Sequence, residues 1–104
     1  MADIRRFLAE AKRQPRGTTI EGAWFDRERD AIVATLSTGV TLAVRRSAVR
    51  PIDKVPAEAL ADVAVEGPRY SVWSKNADIG LQIETIEEYG VPIDSLPLPE
   101  AQGR

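Results

Sequence analysis

Ile4, Phe7, Leu8 and Ala11 recur three and four residues apart, with Arg5, Arg6, Lys12 and Arg13 falling between them, which is the pattern of an amphipathic helix. Asp3 offers an N-cap, and Pro15 with Gly17 offers a stop, so the spacing predicts a helix over residues 3–13. From Thr18 the period falls to two. Ile20, Gly22 and Trp24 are expected on one face of a strand, with Thr19, Glu21, Ala23 and Phe25 on the other. The polar run Asp26-Arg27-Glu28-Arg29-Asp30 reads as a turn, after which Ile32, Ala34 and Leu36 alternate with Val33 and Thr35 in a second strand. Thr38-Gly39 predicts a two-residue hairpin turn, with Gly39 supplying a positive φ. The returning strand places Val40, Leu42 and Val44 on one face.

Beyond Val44 the alternation breaks into the basic connection Arg45 to Pro51, and Pro56 to Asp62 predicts a short helix opened by proline. Val63, Val65, Tyr70, Val72, Leu81 and Ile83 predict further short strands, interrupted by Gly67-Pro68 and by the polar stretch from Ser74 to Asp78. Ile86 and Tyr89, with Glu84, Glu87 and Glu88, predict a last helical turn ending at Gly90. Pro92, Pro97 and Pro99 then mark an extended tail, because proline fixes φ and donates no ladder hydrogen bond. The fold class expected is α+β: a small antiparallel sheet with an N-terminal amphipathic helix and one or two short helices. Residues 1–90 make a single domain, and residues 91–104 a flexible Pro-rich tail.

A chain of 104 residues suits one such domain, and its 43% apolar and 29% charged residues are ordinary for a folded globular chain. No apolar run approaches the roughly 20 residues of a membrane-spanning helix, and the first residues carry no signal-peptide core, so the cytoplasm is the expected compartment. The chain has no Cys and no His. That removes disulfides, thiolate nucleophiles, His-dependent triads and the common zinc sites, and no cofactor or metal is expected. The net charge of −2 conceals a polarity: residues 1–54 hold 11 basic against 7 acidic side chains, and residues 55–104 hold 3 against 9.

Among the acids, Asp26/Glu28/Asp30 and Glu84/Glu87/Glu88 lie close in sequence. A catalytic pair needs one carboxyl desolvated enough to stay protonated, whereas a turn laced with arginines and a surface helix both predict solvated carboxylates. Ser71, Ser74 and Lys75 do not stand at the spacing of a Ser–Lys nucleophile and read as exposed loop residues. Arg45, Arg46 and Arg50 follow the hairpin and could join Arg5, Arg6, Lys12, Arg13 and Arg16 in one patch whose guanidinium forks suit carboxylate or phosphate. With a pI near 5.2, a protein partner is favoured over nucleic acid. Trp24 and Trp73 are expected in the core, and either one, if exposed, becomes an anchor for a partner.

Three segments carry a likeness to a known family. The hairpin Leu36 to Val44, the stretch Ala57 to Val65, and Tyr70 to Ile86 with its Asp78, Val72, Leu81 and Ile83 are similar to the strand-turn-strand, helix-to-strand and Tyr-Gly-Ile-x-Trp-Pro segments of one group. Residues 18–90 thus resemble the family catalogued as domain of unknown function 2442, small prokaryotic α+β proteins. Ser71 replaces that pattern's glycine, Trp73 stands one place early with Ser74 at the tryptophan position, Gly80 replaces its second aspartate, and Arg45 stands where proline often follows the hairpin. The resemblance implies no established activity. Family members often pair with another small protein in modules that look like toxin–antitoxin systems, which implies binding rather than catalysis.

The function expected is therefore a non-catalytic protein-interaction module, antitoxin-like or inhibitory, contacting another protein through Arg45, Arg46, Arg50 and Trp73. An exposed edge strand in so small a sheet also leaves a homodimer open. A nucleic-acid-binding regulator using the arginine set ranks second. A carboxylate-based acid–base enzyme ranks third.

Overall fold

A computed structural model of the chain describes residues 17–96. Its first sheet is built from β1 (Ile20–Asp26), β2 (Ala31–Leu36), β3 (Thr41–Arg45) and the two-residue β7 (Val91–Pro92), hydrogen-bonded in the order β1-β2-β3-β7. The second sheet holds β4 (Ala64–Glu66), β5 (Ser71–Ser74) and β6 (Ile79–Gln82) in that order. Every pairing in both sheets is antiparallel. One helix of seven residues, α1 (Ile83–Tyr89), follows β6 directly.

This overturns the expected α+β build around a single small sheet: the described residues are mostly β, in two antiparallel sheets, with α1 near their C-terminal end. The helix expected over residues 3–13 lies outside the described residues. The cause of the division into two sheets is in the connection. Pro51 and Pro56 cannot donate ladder hydrogen bonds, and the chain between Arg46 and Leu60 runs through three short 3-10 segments instead of returning as a fourth meander strand. Strand pairing therefore restarts at Ala64. Each sheet is left with an apolar face, and the two bury theirs together.

The shared core collects Ile32, Ala34, Leu36 and Val44 from the first sheet, Val72 and Leu81 from the second, Ile83 and Ile86 from α1, and Ile52, Leu60 and Val63 from the connection. The register follows from the alternation, with one exception. Ile20 pairs with Leu36 but Gly22 pairs with Thr35, so Glu21 is an extra residue, a β-bulge. The bulge reverses the faces that a strict period of two assigns: Ile20 is fully buried, while Trp24, expected beside it, faces away from the core and is 45% exposed.

The hairpin also differs in detail. The Gly39 N–H bonds to the Leu36 carbonyl and the Leu36 N–H to the Val40 carbonyl, which makes a three-residue loop, Ser37 to Gly39, closed by Gly39 at φ +94. The last strand extends the fold past Gly90. Val91 pairs with Ala43 and Pro92 with Leu42, and Ile93 and Leu96 pack on Ala31, Val33 and Ala43, the face of the first sheet turned away from the main core.

Candidate interaction surface

Three arginines that look like surface cations in the sequence are tied to main-chain oxygens. Arg29 donates from Nε to the Leu96 carbonyl at 2.7 Å and from a terminal nitrogen to Asp26 at 2.7 Å, fastening the chain beyond β7 to the β1–β2 turn. Arg69, at φ +72, donates to the carbonyls of Ile20 and Glu21, and its own carbonyl accepts the Ile20 N–H, locking the second sheet to the start of β1. Arg46 grips both oxygens of Asp30 at 2.7 and 3.0 Å, and its other terminal nitrogen reaches the Val55 carbonyl at 2.9 Å. Each guanidinium satisfies acceptors that irregular backbone leaves over.

These contacts move the ionisation of their partners. At Asp26, burial pushes the carboxyl upward, but the hydrogen bonds and charge of Arg29, with the N–H groups of Arg29 and Glu28, outweigh it and hold the group below the ordinary carboxylate value. The hydrogen bond to Asp30 raises Arg46 above its usual value. Asp62 is lowered chiefly by the Ser74 hydroxyl, with help from the Asn76 N–H. Both shifted carboxyls thus favour the charged form, whereas a general acid needs the opposite. Ser74, expected in an exposed loop, is fully buried in β5. Among the described residues no group of three or more Asp or Glu is arranged to hold a metal ion.

The four residues expected to contact a partner are divided by the fold. Arg46 is the clamp just described. Arg45 pairs across β2 with Ala31, on the face of the first sheet away from the main core, and is exposed. Arg50 and Trp73 instead flank one surface. Arg50 lines an open cleft of about 600 Å³ with Ala48, Gly80, Leu81, Glu88 and Tyr89. An adjoining cleft of about 250 Å³ shares Gly80 and Leu81 and is lined by Trp73, Ser71 and Gln82.

Cross-strand geometry explains why the Trp73 ring lies there. Trp73 pairs with Gly80, and a Cβ added to Gly80 would sit 2.7 Å from ring atom Cε3 of Trp73 and 2.6 Å from the Val72 carbonyl oxygen. The glycine is the space the indole covers. Trp73 remains 38% exposed and Tyr89 46% exposed, so one aromatic ring lines each of the two adjoining clefts, Tyr89 the larger and Trp73 the smaller. In the sequence, Tyr89 reads as part of a surface helix and Gly80 as a departure from a family pattern. A glycine within a short apolar strand was the available signal, since such a residue marks a close approach.

No family model and no curated protein matches the chain. Among solved structures it is similar to a protein of unknown function from Rhodospirillum rubrum, 18% identical, with a TM-score of 0.62 over 71% of this chain and 92% of the other. That likeness concerns the fold. Among the described residues no helix is long and apolar enough to cross a membrane.

Proposed function

We propose that the chain is a non-catalytic protein-interaction module, antitoxin-like or inhibitory and acting in the cytoplasm, whose contact surface is the paired cleft bordered by Trp73, Tyr89 and Arg50. The observation that carries this reading is Trp73, an indole held over a glycine on the outer face of a sheet and left more than a third exposed. Trp, Tyr and Arg are the side chains that most often dominate protein interfaces, and here one of each lines a single surface. The resemblance to domain of unknown function 2442 supports the same class of function. A nucleic-acid role is ranked lower because the three described arginines of the expected patch do not merge: Arg46 is bound to Asp30, and Arg45 and Arg50 stand on different surfaces, while Arg5, Arg6, Lys12, Arg13 and Arg16 lie outside the described residues.

Affinity capture from the source organism, comparing the natural chain with Trp73→Ala and Arg50→Glu, tests the reading. A specific partner is expected to be retained by the natural chain and reduced about tenfold or more by Trp73→Ala, as for interface hot spots. A partner held equally well by both variants would move the contact surface elsewhere.

A further inference from the structure

We propose that the free edge of β6 is a self-association site, at which β6 of one chain pairs antiparallel with β6 of a second copy, Gly80 opposite Gln82, about a two-fold axis at Leu81. This deepens the reading above, on which it rests only for the role of the neighbouring Trp73.

The hydrogen-bond register leaves this edge open. The Ile83 N–H donates to the Tyr70 carbonyl, so residues 83, 81 and 79 exchange main-chain bonds with Tyr70 and β5, while Gly80 turns its N–H and carbonyl outward and Gln82 its N–H, the Gln82 carbonyl being taken by the first hydrogen bond of α1. No strand among the described residues occupies that side. The other three sheet edges are blunted. β1 carries a bulge at Glu21, β7 is two residues long and holds Pro92, and β4 is three residues long and ends in Glu66 before Gly67-Pro68. β6, Ile79-Gly80-Leu81-Gln82, has no charge, no proline and no bulge, the devices by which natural sheets prevent edge pairing.

A second copy is the occupant that fits. With only two outward residues, the edge gains most from a partner presenting the same two. Gly80 opposite Gln82 of the partner, repeated by the two-fold, closes about two main-chain hydrogen bonds, each from a Gln82 N–H to the Gly80 carbonyl of the other copy. The cleft along the edge carries one cation, Arg50, and one anion, Glu88, a combination that a two-fold renders self-complementary. The pairing makes one six-stranded sheet whose outer face carries two Trp73 side chains.

Sedimentation equilibrium of the full chain tests this. The natural protein is expected at twice its monomer mass. In Gln82→Pro the outward N–H is lost, while the backbone at φ −80 already suits proline and the β5–β6 ladder keeps every bond. That variant is expected to keep its circular dichroism and to dissociate about tenfold or more readily, the effect of losing two hydrogen bonds. Arg50→Glu is expected to weaken pairing, and Arg50→Glu combined with Glu88→Arg to restore it. A natural chain that stays monomeric up to about 1 mM, a Gln82→Pro protein as dimeric as the natural one, or an edge filled only by a foreign strand would overturn the proposal. None of these results alters whether Trp73→Ala loses a partner, so the two readings fail separately.

Discussion

Replacing Ser74 by alanine removes one oxygen from the core and tests how β5 is held to the connection beneath it. The Ser74 hydroxyl is fully buried, and its single hydrogen lies between an Asp62 carboxylate oxygen at 2.6 Å and the Ala59 carbonyl at 2.9 Å. The same oxygen accepts the Ala77 N–H at 3.1 Å. Alanine fits the space but leaves the Ala77 N–H without its acceptor and the Ala59 carbonyl without its donor. Leaving buried polar groups unpaired costs about 1–3 kcal/mol, and a value near 2 kcal/mol lowers the melting temperature of a domain this size by about 8–16 °C. Urea unfolding and calorimetry at pH 7 measure both.

The same variant has a pH signature. Because the Ser74 hydroxyl is the largest cause holding Asp62 below its ordinary value of 3.8, Asp62 favours the fold above that value and loses its contribution as pH falls through the lowered one. Ser74→Ala should therefore lose more stability at pH 7 than at a pH below the lowered value, where the natural protein has already lost the carboxylate's share. A variant within about 0.5 kcal/mol of the natural chain at pH 7, or one with an unchanged acid-unfolding profile, would refute the reasoning.

Two further substitutions probe the surface and the clamp. Gly80→Ala places a methyl against the Val72 carbonyl and the Trp73 ring and is expected to cost about 1–3 kcal/mol and to shift the tryptophan fluorescence; an unchanged spectrum would mean the indole does not cover the glycine. Arg46→Met leaves the Val55 carbonyl and Asp30 without their donor and should cost about 1–2 kcal/mol in urea unfolding, whereas Arg45→Met, on an exposed residue, should stay within about 0.5 kcal/mol; equal effects would remove the distinction between clamp and surface cation.

Local chemistry alone determined where most strands and turns fall in the middle of this chain, though not their exact ends. The alternation of Ile32, Ala34 and Leu36, the positive φ supplied by Gly39, the short segments around Val65, Val72 and Leu81, and the last helix ending at Gly90 each depend on a few neighbouring residues, and they fold as the pattern predicts. What the pattern could not supply was anything depending on the partner of a segment. A single extra residue at Glu21 exchanges the faces of β1 and puts Trp24 outside, because face assignment inverts with each residue inserted against the neighbouring strand. One sheet or two depends on where the chain goes after Val44, and Ser74 reads as a loop residue until Asp62 and Ala59 are folded over it.

The candidate site divides on the same line. Trp73 and Arg50 were legible as residue types suited to an interface, but consecutive arginines look alike in a sequence, and only tertiary structure separates Arg46, used up by Asp30 and Val55, from Arg45 and Arg50 at the surface. Tyr89 and the indole-covered Gly80 join them through cross-strand register and the packing of α1, contacts between residues distant in the chain. Sequence determines which side chains are present and how each short stretch prefers to bend. Burial, pairing and the meeting of distant residues at one surface are decided by the assembled fold, where acceptors left over by one segment are satisfied by another.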